Sequence, residues 1–154
     1  MPIPIIIALA IAVFLVPFIF IRRLLRRALR EVRTGYPEHV RILTDPMANL
    51  FGLASLGRRQ VRGNGILLMT DSEVYFRMLA PRREIRFSLS AIRSLSTPRG
   101  FLGKTKGRAL LGIEFTGEDG ARDSAAWMVR DLESWLSELA SRTGVPVERK
   151  GIRS

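Results

Sequence analysis

The sequence contains no cysteine, which excludes disulfides, thiolate zinc or iron–sulfur sites and cysteine nucleophiles. There is one histidine, His39, so a multi-histidine metal site is excluded and a Ser-His-Asp relay would rest on that residue alone. His39 lies beside Glu38 in a stretch rich in turn residues and is assigned no role. Acidic residues are scarce: 14 stand against 25 lysines and arginines, for a net charge of +11. They are scattered, and no P-loop, nucleophile-elbow or metal-ligand spacing occurs. The chain therefore reads as a non-enzyme that requires no cofactor. Its basicity points to a polyanionic partner, either a membrane surface or nucleic acid.

Charge is also missing from the first 21 residues. At 1.5 Å per residue, residues 3–21 as a helix would extend roughly 28 Å, enough for a bilayer core. The expectation is a transmembrane helix over 3–21, with Pro2 and Pro4 in its first turn, where a missing N–H costs little. A cleaved signal peptide fits less well, because the positive charge follows the apolar run and the one A-x-A match, Ala8 to Ala10, lies inside it.

Residues 22–33, RRLLRRALREVR, hold six arginines and one glutamate. Positive charge flanking a span stays inside, so the expected localisation is the inner membrane, single-pass, with the N-terminus outside and the domain cytoplasmic. At about 100° per residue, Arg22, Arg23, Arg26, Arg27, Arg30 and Arg33 share one arc, opposite Leu24, Leu25, Ala28, Leu29 and Val32. Three roles are open for this basic amphipathic juxtamembrane helix. Its arginines fix topology only, the helix lies along the anionic leaflet, or its leucine face docks on the domain or on another helix.

Residues 34–47 contain two prolines and a glycine and read as a linker. From Ala48 to Arg142 the chain alternates as strands do. The runs are Asn49 to Leu56, Ile66 to Thr70, Glu73 to Leu79, Glu84 to Leu89, Ile92 to Ser96, Leu110 to Thr116 and Ser124 to Val129. In EIRFSLS, Ile85, Phe87 and Leu89 face one way, and in LLGIEFT, Leu111, Ile113 and Phe115 share a face. Turn residues separate the runs, as expected for a meander. Asp131 then caps a helix carrying Leu132, Trp135, Leu136 and Leu139, which Gly144 and Pro146 end. Residues 143–154 are expected to be a flexible tail, and Trp127 and Trp135 to be core aromatics. The fold class is mainly β with a C-terminal α-helix.

GNGILLMTDSEVYF (Gly63 to Phe76), EIRFSLSAI (Glu84 to Ile92), Gly103-Lys104, LLGIEFTGEDG (Leu110 to Gly120) and the terminal helix with Trp135 resemble the pleckstrin-homology superfold, nearest to GRAM-like and bacterial PH-like domains. The resemblance covers about 95 residues, 48–142, and rests on hydrophobic spacing and turns. It implies an orthogonal seven-stranded sandwich or barrel capped by one helix, and a non-catalytic module that recognises anionic lipids or peptides.

In a meander, alternate connections share an end. The first, third and fifth carry Arg58, Arg59 and Arg62; Arg82 and Arg83; and Arg99, Lys104, Lys106 and Arg108, without an acid. The second and sixth carry Asp71, Glu118 and Asp119. One end is thus expected to be basic and the other acidic, and guanidinium groups suit phosphate oxygens.

Arg22, Arg23, Arg26, Arg27 and Arg30 with the cations of the basic end, Arg58, Arg59, Arg62, Arg82, Arg83, Lys104, Lys106 and Arg108, are the candidate membrane-surface or anion site. The expected partners are the lipid bilayer, its anionic headgroups or a membrane protein, and nucleic acid is disfavoured. The expected function is a single-pass, membrane-anchored recognition module that presents its basic loops to an anionic leaflet. The alternative is a protein-binding scaffold in a membrane complex, without lipid recognition. The sequence does not set the oligomeric state.

Overall fold

The computed structural model describes residues 3–149, except the side chains of 5–11 and 14. The chain divides into two compact units, residues 1–36 and 37–154.

The first unit is one helix, α1 (Ile3–Gly35), with Pro17 inside it. Pro4 falls in its first turn, and at its end Tyr36 N donates to Val32 O at 2.7 Å. The sequence therefore continues from its apolar part into the arginines without a break, so 3–21 and 22–33 are not separate elements. Among the described residues, no helix is long and apolar enough to cross a membrane. That finding corrects the expected transmembrane span over 3–21. With it go the single-pass character, the inner-membrane localisation, the outside N-terminus and the cytoplasmic placement that were derived from the span.

The second unit is built on one eight-stranded sheet. Its strands are β1 (Leu43–Leu53), β2 (Gly63–Met69), β3 (Glu73–Met78), β4 (Arg83–Ser88), β5 (Ile92–Ser96), β8 (Leu111–Thr116), β9 (Arg122–Met128) and β10 (Val147–Glu148). Their order is β10-β5-β8-β9-β1-β2-β3-β4. A separate hairpin joins β6 (Gly100–Phe101) to β7 (Lys104–Thr105). All main-sheet pairings are antiparallel except that of β10 with β5, which makes the sheet mixed.

The seven-stranded sandwich or barrel is corrected accordingly, to an eight-stranded mixed sheet with two helices in the chain. Two physical features account for the difference. First, β1 pairs with β2 along 43–50 and with β9 along 49–53, through register shifts at Asp45/Ala48 and Leu50/Gly52. Such bulges bend a strand, and here they let one strand join both halves of the sheet. Second, the chain beyond α2 (Leu132–Thr143) returns to the sheet. Val147 pairs with Leu95 and Glu148 with Ser96, and Arg149 forks onto the Glu133 carboxylate at 3.1 and 2.7 Å. That carboxylate raises the Arg149 guanidinium pKa above its ordinary value.

The tail expected over 143–154 is thus part strand, and Lys150 to Ser154 lie outside the described residues. The linker over 34–47 is corrected too. It holds the end of α1, a 3-10 turn at Glu38–Val40 and the start of β1.

The main core lies on one face of the sheet, and a second, smaller cluster is made by Phe51, Leu110 and Ala126. Trp127 is fully buried, with Phe76 edge-on at 6.0 Å, and Phe87 stacks on Phe115 at 4.0 Å. α2 adds Trp135, Leu136 and Leu139 to the same cluster, each contributing about 1.5–3 kcal/mol through burial. Its start is fixed by Asp131, which accepts from Ser134 N at 3.1 Å and Ser134 Oγ at 2.6 Å. Those bonds hold the Asp131 carboxyl below its ordinary pKa. Its stop is Gly144 at φ 71°, whose N–H donates to Ala140 O. A glycine adopts that left-handed conformation without a Cβ penalty.

Candidate functional site

The first connection runs from the end of β1 to the start of β2. After Leu53 come a 3-10 turn at Ala54–Leu56 and Gly57 at φ 68°. Gln60 then folds back on the strand it has left. Its Oε1 accepts from Leu53 N at 2.8 Å, and its Nε2 donates to Leu53 O at 2.5 Å and Gly57 O at 2.6 Å. The side chain thereby stands in for a strand partner at Leu53. It needs Gly52 to do so, because a Cβ there would lie 2.7 Å from the Gln60 side chain and Gly52 has φ 147°.

A second tie comes from the β6–β7 hairpin, where Lys104 Nζ donates to Gln60 O at 2.5 Å and Phe51 O at 3.3 Å. A third is Ser55, whose N and Oγ donate to the Asp123 carboxylate at 3.0 and 2.6 Å.

This pinned loop exposes Arg58 and Arg59 together with two apolar side chains, Leu56 at 50% and Val61 at 67% exposure. No acidic residue occurs between Ala54 and Arg62. Arg62 is half-buried, its guanidinium 5.0 Å from the centre of the Phe51 ring, so it joins the loop to the sheet as well as carrying charge.

The first, third and fifth connections are brought together. Leu79 N donates to Asn64 O at 2.9 Å, and Met78 pairs with Gly65 and with Arg83. The turn carrying Arg82 therefore lies beside the strand that follows Arg62. Arg82 is ion-paired with Glu84 at 3.1 Å, and Arg83 is the half-buried first residue of β4. The fifth connection reaches the loop through Lys104. That ammonium is engaged by two main-chain carbonyls, so Lys104 supports the site rather than facing an external anion. Lys106 and Arg108 are exposed beyond the hairpin. Arg22, Arg23, Arg26, Arg27 and Arg30 are exposed on α1, in the other unit, where Arg22 lies over Phe18 and Arg27 pairs with Glu31.

The opposite end is not purely acidic. A cleft of about 460 Å³ lies between the second, fourth and sixth connections, and its Glu73 and Glu118 are matched by Arg86 and Arg93. The expected acidic end is thus a mixed one, because β4 and β5 bring arginines to it.

Residue type alone marks the loop arginines. It does not mark Gln60, Leu56 or Val61, whose roles depend on the loop's closure. Changing Gln60→Ala removes three hydrogen bonds at about 1 kcal/mol each. The Leu53 amide should then exchange its hydrogen at least roughly tenfold faster. An unchanged rate would show that Gln60 does not hold the loop.

No known protein-family model and no curated protein matches the chain. Several solved structures are similar to it, three of them as follows. A chain of the 8S snRNP assembly intermediate has TM-score 0.54 and 14% identity, over 77% of this chain and 94% of that one. The C-terminal domain of an unknown protein from Leishmania infantum has TM-score 0.47 and 11% identity, over 72% and 93%. The hSac2 domain of the human phosphoinositide phosphatase Sac2 has TM-score 0.49 and 12% identity, over 82% and 88%. At these identities the likeness is one of fold, and the first of the three carries it.

Proposed function

We propose that the second unit is a non-catalytic recognition module, of the kind its resemblance to PH-like and GRAM-like domains implies, and that its first connection engages an anionic lipid leaflet. The observation that carries this reading is the company Arg58 and Arg59 keep. Two cations are flanked by exposed Leu56 and Val61 on a loop already fixed by Gln60 and Lys104. Guanidinium groups pair with phosphate oxygens, and neighbouring aliphatic groups gain by entering the acyl boundary beneath them. A fixed loop loses little conformational entropy on binding.

The test is co-sedimentation of the full chain with phosphatidylcholine vesicles, with and without phosphatidylglycerol. The parent chain should bind the acidic vesicles and release them as salt rises. Each basic residue near an anionic surface contributes about 1 kcal/mol, so the Arg58→Glu, Arg59→Glu double variant should bind about 30-fold more weakly or worse. Leu56→Ser with Val61→Ser should weaken binding and leave its salt dependence in place. Equal retention of the arginine variant would overturn the reading.

A further inference from the structure

The strand at one end of the main sheet, β4, has no neighbouring strand on its outer side among the described residues. Its free main-chain groups can be assigned. In an antiparallel ladder, positions that exchange hydrogen bonds alternate with positions that do not. Leu89 N donates to Ser72 O at 2.8 Å, and the neighbouring residues Ser88 and Glu73 are partners. By alternation, Phe87, Ile85 and Arg83 turn their N–H and C=O groups toward β3. Those of Glu84, Arg86 and Ser88 turn outward, away from the sheet.

The β2–β3 ladder has the matching phase. Leu79 N donates to Asn64 O, which leaves Val74, Phe76 and Met78 to bond with β4. The outward-turned residues of β4 also have exposed side chains, with Glu84 41% and Arg86 56% exposed.

We propose that this edge is a self-association surface, on which a second copy of the chain adds its own β4 antiparallel to the first. Charge selects both the occupant and the register. Only Glu84, Arg86 and Ser88 offer outward hydrogen-bonding groups, so a two-fold pairing must set these positions opposite one another. Centred on Arg86, it places Arg86 against Arg86 of the second copy. Centred on Glu84, it places Glu84 against Glu84. Centred on Ile85, it places Glu84 opposite Arg86 of the second copy and Arg86 opposite its Glu84, and both pairs exchange main-chain bonds. Opposite charges facing each other across strands are attractive, and like charges repel.

The strand is therefore self-complementary in one register and repulsive in the two adjacent ones. Its present side-chain partners do not prevent the exchange. Arg86 lies 3.6 Å from Glu73 and 5.3 Å from the centre of the Tyr75 ring, and Glu84 pairs with Arg82 at 3.1 Å; ion pairs this solvated are weak. The charges that protect an open edge from indiscriminate pairing admit a copy of the same strand.

Sedimentation velocity of the full chain across a concentration series tests this. The parent should show a concentration-dependent dimer. Arg86→Glu alone, or Glu84→Arg alone, turns both cross-strand pairs into like-charge pairs and should weaken the dimer by roughly tenfold. The double exchange, Glu84→Arg with Arg86→Glu, restores complementarity and should restore the dimer. Because the chain has no cysteine, register can be read separately. Mixing the Glu84→Cys chain with the Arg86→Cys chain under oxidation should give a disulfide-linked heterodimer, since paired positions lie about 5.5 Å apart. A monomer at every concentration overturns the proposal. So does a dimer that the single variants leave unchanged, or one in which the two cysteines do not bridge.

Discussion

Trp127→Ala should lower the unfolding free energy by about 3–5 kcal/mol, the range for removing a large aromatic from a core. Trp127 is fully buried, and its backbone position is the junction of the sheet, paired to Leu50 of β1 and to Leu111 of β8. Phe76 meets its ring edge-on at 6.0 Å and Phe87 lies 6.4 Å away, so the cavity left behind would open against side chains of β3 and β4. A loss of this size is a large share of the 5–15 kcal/mol that typically holds a domain together. Trp127→Phe should cost much less. The indole Nε1 is buried with no hydrogen-bond partner among the described residues, and a buried unsatisfied donor costs about 1–3 kcal/mol. Phenylalanine removes that donor along with some packing area. Urea unfolding of the two variants measures the difference. An alanine variant within about 1 kcal/mol of the parent would contradict the packing described.

The second large effect is expected at Asp45. This carboxylate is 3% exposed. It accepts from Met47 N at 3.0 Å, inside its own bulge, and from Arg130 N at 2.7 Å, just before α2. One side chain thus holds the bulge of the first strand and the lead into the last helix, which are 85 residues apart. Hydrogen bonds to a charged acceptor contribute about 1.5–3 kcal/mol each, and their loss strands buried donors. Asp45→Ala should therefore destabilise by about 2–4 kcal/mol. Asp45→Asn keeps one acceptor oxygen and should recover part of that. Hydrogen exchange at the Arg130 amide locates the effect, because it should accelerate in the alanine variant more than amides within β3 do. Uniform acceleration across the sheet would place the role of Asp45 elsewhere.

Asp45 also shows where sequence reading stops. It is followed by Pro46, one of the two prolines that, with a glycine, make 34–47 read as a linker. In the fold, the bulge between Asp45 and Ala48 absorbs the proline, so the strand continues through a residue that usually ends one. Strands whose side chains alternate between core and solvent were legible. Ile85, Phe87, Leu111, Ile113 and Phe115 are buried as their spacing implies. β10 was not legible, because two residues held by main-chain bonds to β5 leave no periodic pattern. The joining of both halves of the sheet by β1 was equally hidden, since it depends on a register shift beside Gly52. Among the candidate cations, residue type identified charge and could not identify employment. Arg58 and Arg59 face solvent, whereas Lys104 is engaged by the carbonyls of Phe51 and Gln60. The apolar character of residues 3–21 was plain, while among the described residues no helix is long and apolar enough to cross a membrane.

The return of the chain to β5 has a practical corollary. A shortened version ending at Gly144 looks harmless on paper, since the helix is complete there. It would strip the β5 rim of Val147 and Glu148 and leave Glu133 without its arginine clasp. That border of the sheet would then be the longer β5 in place of two-residue β10, and a truncated product would be prone to clumping during expression.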